Sequence, residues 1–207
     1  MANMEEENTV KIITLGNVSV GKSSILKKFV TKKFDENICS TIGMNIIFKQ
    51  ITLNNKEKIN VKLVDTNGQE KYKCMSKQYF RNTDGILFVF AHDDPESFND
   101  ISLWMKIYDE SASTSKGIPK CLIGNKNDLD SLIPQEDIDE FLKKNEGLMY
   151  KSISAKTDDA KIDELFQQFG EKVYENYKIH KSNQSTTLKL STATTKKKTN
   201  KCTKCLF

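Results

Sequence analysis

Gly16-Asn17-Val18-Ser19-Val20-Gly21-Lys22-Ser23 follows the apolar run Val10-Lys11-Ile12-Ile13-Thr14-Leu15 and leads into Ser24-Ile25-Leu26-Lys27-Lys28-Phe29-Val30, whose apolar residues recur at helical spacing. The order is strand, loop, helix, and the spacing G-x-x-x-x-G-K-S inside it is that of a phosphate cradle. Successive backbone N–H groups from Val18 through Val20 to Ser23, together with the helix N-terminus, point at the phosphates of a nucleotide. Lys22 adds a point charge to the outer phosphates, and the Ser23 hydroxyl is a ligand for Mg²⁺. Gly16 and Gly21 permit backbone angles and a close approach that a side chain would block.

Outward from this loop, strand-length apolar runs recur at 10–15, 45–53, 59–64, 85–91, 120–124 and 148–153, with helical patterns between most of them. Such alternation predicts an α/β fold: a mostly parallel six-stranded sheet with helices on both faces. The exception is the pair 45–53 and 59–64, joined by Asn54-Asn55-Lys56-Glu57-Lys58. That short polar turn predicts a hairpin, hence one antiparallel edge strand. Asp94-Pro95 opens a helix as N-cap and first-turn proline. Its Phe98, Ile101, Trp104, Met105 and Tyr108 form a core-facing stripe. A second helix follows Pro134, and a third carries Ile162, Leu165, Phe166, Phe169 and Val173.

At 207 residues the chain suits one domain plus a tail. The net charge is +4, yet Lys178 to Phe207 holds eight lysines and no acid, so the first 177 residues carry a net −4. The basic character belongs to the tail, which suits a membrane surface or an acidic partner, or else is merely a solvated lysine run. No nucleic-acid partner is implied. Five scattered cysteines argue against a disulfide framework and for a reducing compartment. The acidic start Met1 to Asn8 is no secretory or transit signal, and Ile86 to Ala91 is too short to span a bilayer, so a cytosolic protein is expected. Residues 1–9 are read as a disordered N-terminus, 10–178 as the folded domain, and 179–207 as a flexible basic tether without periodicity.

The base is specified by Asn125-Lys126-Asn127-Asp128, at the carboxyl end of the strand Cys121-Leu122-Ile123-Gly124. The Asp128 carboxylate can accept from the N1–H and 2-amino groups of guanine, whereas adenine presents an acceptor and no donor there. Ser154-Ala155-Lys156 follows the last strand and can set a backbone N–H on the guanine oxygen. Asp65-Thr66-Asn67-Gly68-Gln69-Glu70 ends the third strand. Asp65 is placed to hold Mg²⁺ through water, the Gly68 N–H to meet the γ-phosphate, and Gln69 to orient attacking water. Thr41, in Ser40-Thr41-Ile42-Gly43, offers its hydroxyl to Mg²⁺ only when a γ-phosphate holds that loop.

With these five motifs in order, the chain resembles a small GTPase of the Ras superfamily from about residue 10 to 177. Ser40-Thr41-Ile42-Gly43, Gln78-Tyr79-Phe80-Arg81 and Glu96-Ser97-Phe98 are similar to Rab signatures. The resemblance implies a P-loop G domain, a monomeric GTP/GDP switch in vesicle traffic, and a cycle between the cytosol and an intracellular membrane. It also implies effectors on the loops around Thr41 and Gln69, an exchange factor, a GTPase-activating protein, and a role for Phe34 as the aromatic against the guanine.

Several positions depart from the pattern. Val18 and Ser19 stand where relatives carry small residues, Asn67 replaces an alanine, and Ile38 replaces a frequent tyrosine. Val18 is expected to crowd the γ-phosphate and Asn67 to bring an amide beside it, which predicts slow hydrolysis, with a hydrolysis-deficient GTP-binding scaffold as the alternative. Arg81 is the single arginine, so a transition-state arginine would come from a partner. Cys205 is third from the end and two residues separate it from Cys202, which departs from the C-a-a-X box. Prenylation of Cys205 and of Cys202 beside the basic stretch is still the expectation, against a Cys-x-x-Cys metal or redox site that lacks a second ligand pair.

Overall fold

Residues 8–35, 43–68, 80–111 and 117–196 are described by a computed structural model, with the backbone alone from 183 onward. The strands are β1 (Thr9–Leu15), β2 (Met44–Thr52), β3 (Lys58–Thr66), β4 (Gly85–Ala91), β5 (Lys120–Asn125) and β6 (Met149–Ser152). The helices are α1 (Lys22–Thr31), α2 (Pro95–Asn99), α3 (Ile101–Ser111), α4 (Gln135–Lys144) and α5 (Asp159–Lys196). One six-stranded sheet runs in the order β2-β3-β1-β4-β5-β6. β2 is antiparallel to β3, and the other pairings are parallel.

The sheet is built as the apolar runs require. β4 is buried along its whole length, as expected of a central parallel strand covered on both faces. Its Leu87, Val89 and Ala91 join the layer under α1 and α5. Ile86, Phe88 and Phe90 join the layer under α2, α3 and α4, with Trp104, Tyr108 and Ile138. The period of two in a strand thus divides one sequence run between two cores. On the first face Phe29 of α1 stacks on Phe166 of α5 with ring centroids 3.9 Å apart. The β2–β3 turn closes through the Leu53 N–H donating to the Glu57 carbonyl at 2.8 Å, with Lys56 at φ 66°.

Three boundaries differ from the sequence reading. β1 starts at Thr9, and the Asn8 carbonyl already accepts the Asn60 N–H at 2.9 Å, so Asn8 and Thr9 pair with β3. The helix after Pro95 is two helices, divided at Asp100. Asn99 and Asp100 have short polar side chains that compete for backbone hydrogen bonds, and Asp100 caps α2 through its N–H to the Glu96 and Phe98 carbonyls. α5 continues to Lys196, beyond the 178/179 boundary of the expected tether. No glycine or proline follows Gly170 in that stretch to stop it. Packing against the core nevertheless ends near Tyr177, and Ile179 is exposed.

Candidate functional site

The parallel strands β1, β4 and β5 have their carboxyl ends at the same end of the sheet, and the loops that leave them meet there. From β1 the chain passes through Gly16 at φ 148°, where a Cβ would lie 2.1 Å from the Val89 carbonyl oxygen. No other residue fits between this loop and β4. Val20 is buried in the core and anchors the loop from below. Gly21, at φ 92°, opens α1 without a capping side chain, which leaves the helix N-terminus to the loop it faces.

Lys22 is only 4% exposed. Its ammonium donates to the carbonyls of Gly16 at 2.9 Å and Asn17 at 2.7 Å, so the charge is held within the loop. Gly68, which follows β3 at φ 85°, comes in from the side. A Cβ there would sit 2.6 Å from Lys22 Nζ and 2.6 Å from the Val18 nitrogen. The structure therefore brings Gly68 against the loop between Gly16 and Ser23, and Asp65 is buried three residues before it.

The base side is joined to this loop by hydrogen bonds. Asn125 Nδ2 donates to the Val20 carbonyl at 2.8 Å, and its Oδ1 accepts the Ala155 N–H at 3.0 Å. Lys126, at φ 63°, pairs with Asp93 at 3.1 Å. Ser154 Oγ accepts from the Lys156 and Thr157 N–H groups at 3.0 and 3.2 Å, and the Ser154 N–H donates to Asp158 at 2.9 Å. Burial pushes the Asp158 carboxyl up, but hydrogen bonds from Ser154, Lys161 and Asn127 outweigh it and hold the group below its ordinary value. The result is a cleft of about 280 Å³ lined by Ser19, Gly21, Ser24, Phe34, Asn125, Lys126, Asp128, Leu129 and Ser154 to Lys156.

A larger cavity, of about 670 Å³, opens at the amino end of β5 between Met105, Lys120, Glu146 and Lys172. It contains none of the nucleotide motifs. The smaller cleft is the chemically organised one, because open α/β sheets bind ligands at the carboxyl ends of their strands.

Ser23 and Asp65 carry a hydroxyl and a carboxylate, the kind of hard oxygen donor that Mg²⁺ takes. Among the described residues no cluster of three or more His, Cys, Asp or Glu could hold a metal. A hydroxyl and a carboxylate fit an ion that keeps waters and is completed by substrate phosphates. Ile38, Thr41, Gln69, Cys202 and Cys205 lie outside the described residues.

Two features escaped the sequence. Asn17, Asp100 and Trp104 meet behind the loop: the Trp104 indole N–H donates to Asn17 Oδ1 at 2.9 Å, and Asn17 Nδ2 donates to Asp100 at 2.7 Å. Asp93, which holds Lys126, was unmarked because its partner lies 33 residues on.

Residues 11–175 match the model of the Ras family. The chain belongs to that family. It is 34% identical over 160 residues to the Ras-related protein SEC4 of Saccharomyces cerevisiae, covering 77% of this chain and 73% of the relative. Against the Ras-related protein Rab-32D of Dictyostelium discoideum it is 33% identical over 162 residues, 76% of this chain and 71% of that one. The match to bovine (Bos taurus) Rab-13 is 30% over 201 residues, 95% of this chain and 96% of the relative. This Ras-family chain is a Rab-like small GTPase: it hydrolyses GTP and acts in vesicle trafficking.

Membership corrects one expectation. The hydrolysis-deficient scaffold, which rested on Val18 and Asn67, is not favoured. Ser19, another of the departures, adopts φ 64°, in the left-handed region.

Proposed function

We propose that the chain holds GTP or GDP with Mg²⁺ in this cleft. Gly16, Val18, Ser19, Val20, Gly21, Lys22, Ser23 and Gly68 receive the phosphates. Asn125, Lys126, Asp128 and Ser154 to Lys156 receive the guanine, with Phe34 against it. Ser23, Asp65 and Thr41 hold Mg²⁺, which would neutralise charge on the β- and γ-phosphates. Gln69 orients the attacking water. The observation behind this reading is the meeting, around one cleft, of segments about 19–34, 125–129 and 154–156, tied to each other through Asn125.

In this reading Lys22 is held ready by two carbonyls and exchanges one of them for a phosphate oxygen. Asp128 selects the base, because burying its carboxylate against adenine would leave it without donors. The monomeric switch engages effectors, an exchange factor and an activating protein through the loops at Thr41 and Gln69. Among the described residues no helix is long and apolar enough to cross a membrane. The reading assigns membrane contact to the lysine-rich tail and to lipidation of Cys205 and Cys202, since a basic stretch beside a lipid gives the two signals that stable anchoring takes, with the folded part on the cytosolic side.

The test is displacement of a fluorescent GDP analogue from the full-length protein in Mg²⁺. GTP and GDP should displace it at least about 10³-fold better than ATP, as for a site built around a base's own donors. Equal displacement by ATP would overturn the assignment of the cleft.

A further inference from the structure

Asn17 has three engagements, each with a different part of the molecule. Its carbonyl accepts the Lys22 ammonium at 2.7 Å. Its Oδ1 accepts the Trp104 indole N–H at 2.9 Å, and its Nδ2 donates to Asp100 Oδ2 at 2.7 Å. In addition, a Cβ on Gly68 would stand 2.6 Å from the Asn17 carbonyl carbon, so the segment after β3 rests on the same peptide. Asp100 is the joint between α2 and α3, and its carbonyl accepts the Trp104 N–H at 3.0 Å, closing the first turn of α3.

We propose that Asn17, Asp100 and Trp104 form a positioning unit for the triphosphate, which sets where the Lys22 ammonium waits and carries nucleotide occupancy to the start of α3. The proposal rests on the nucleotide reading above. Three arguments support it. A side chain here must donate to a carboxylate and accept from an indole at once, which an amide does and an acid or an alkyl group does not. Trp104 is wholly buried, so loss of its acceptor carries the full penalty of an unsatisfied donor. The lysine is bound to the same residue's carbonyl. When phosphate draws the ammonium away, the charge-assisted bond at the Asn17 carbonyl weakens and the peptide moves against its two side-chain anchors.

The chain has one tryptophan, so its emission reports on the surroundings of Trp104, and the Asn17 variants isolate the contribution of this contact. Nucleotide-free full-length protein is titrated with GDP and with a non-hydrolysable GTP analogue in Mg²⁺, following tryptophan emission and, separately, bound nucleotide. Emission should change on loading of the wild type. Asn17→Asp, which sets two carboxylates together, should abolish the change and weaken GTP-analogue binding by about tenfold. The exchanged pair Asn17→Asp with Asp100→Asn restores a donor and an acceptor, and should recover both.

Trp104→Phe gives a second line of evidence, since it keeps the ring and removes the donor. It should bind the GTP analogue several-fold more weakly with its preference over ATP intact. A merely structural role would lower the unfolding midpoint of these variants and leave the emission change of Asn17→Asp in place. Nucleotide binding by the wild type without an emission change overturns the positioning unit, as does wild-type affinity in Trp104→Phe. Failure of the wild type to bind guanine nucleotides would instead overturn the nucleotide reading on which the unit rests.

Discussion

Asn125 Nδ2 donates to the Val20 carbonyl at 2.8 Å, across 105 residues of sequence. The bond fastens the base loop to the phosphate loop, and the partner oxygen of the same amide takes the Ala155 N–H. Gly21 leaves room for it: a Cβ there would stand 2.1 Å from Asn125 Nδ2. The two halves of the cleft are thus held at a fixed separation by one buried side chain.

Asn125→Ala should therefore act on stability and on binding together. The Val20 carbonyl and the Ala155 N–H both lose a buried partner, at about 1–3 kcal/mol each. Urea denaturation without nucleotide should show a loss in that range, and release of a fluorescent GDP analogue should speed up by an order of magnitude or more. Asn125→Asp keeps the acceptor for Ala155 and turns an oxygen toward Val20, so it should be no better than alanine. Unchanged release in both variants would mean that the loops are held by something else.

Ser19 lines the cleft in the left-handed region, at φ 64°. A non-glycine residue there costs about 1–2 kcal/mol, while glycine lowers stability by about 0.4–1 kcal/mol through the unfolded chain. Ser19→Gly should raise the unfolding midpoint by a few degrees at most. Ser19→Val should lower it by more, since a β-branched residue tolerates positive φ worst. Thermal unfolding of both against wild type decides the point, and equal midpoints would show that the loop relaxes out of this conformation.

These particulars show what the sequence could and could not reveal. The placing of Gly16, Lys22, Asn125 and Asp128 in loops beyond the strand ends was legible because local motif spacing puts each of them there, and β4 was legible because Ile86 to Ala91 is an unbroken apolar run. The helical spacing marks Trp104 as packing, which it is, but its indole N–H finds a partner 87 residues away and no periodicity records that. The backbone angle of Ser19 leaves no trace in residue identity. The course of α5 past Tyr177 is hidden for a different reason: helix continuation there depends on the absence of a stop signal, and no apolar face marks it.

His92 offers a prediction in pH. It is buried between Ser131 Oγ, 3.2 Å from Nδ1, and Ser152 Oγ, 2.9 Å from Nε2, with the Phe90 ring 5.3 Å away. Burial lowers its pKa from the ordinary 6.5, and the neighbouring Asp93 carboxylate, itself paired with Lys126, opposes the shift. A depressed histidine means that the unfolded chain binds the proton first. Its contribution to stability is complete above the unfolded value and is lost as pH falls below it toward the folded one. Denaturant midpoints at about pH 7.5 and pH 5.5 should therefore differ more in wild type than in His92→Gln, whose amide can still reach Ser152. An equal difference in the two proteins would assign acid sensitivity to other groups.

Asp128 provides the sharpest test of the base assignment, because the chemistry can be inverted rather than merely removed. A carboxylate offers two acceptors to the N1–H and 2-amino donors of guanine, and it lines the cleft beside Leu129 and Lys126. An amide in its place keeps one acceptor and presents one donor. That pattern mismatches the 2-amino group but suits a purine with a carbonyl at that position, as in xanthine. Asp128→Asn should lose GTP binding by about 10²-fold or more, as expected when a buried polar pair is mismatched. It should gain affinity for xanthosine triphosphate in the same displacement assay. The unfolding midpoint without nucleotide should change little, since the side chain faces the cleft. Retained GTP affinity in this variant would show that Asp128 does not read the base, and loss of GTP without any gain for the xanthine nucleotide would show that it supports the loop instead.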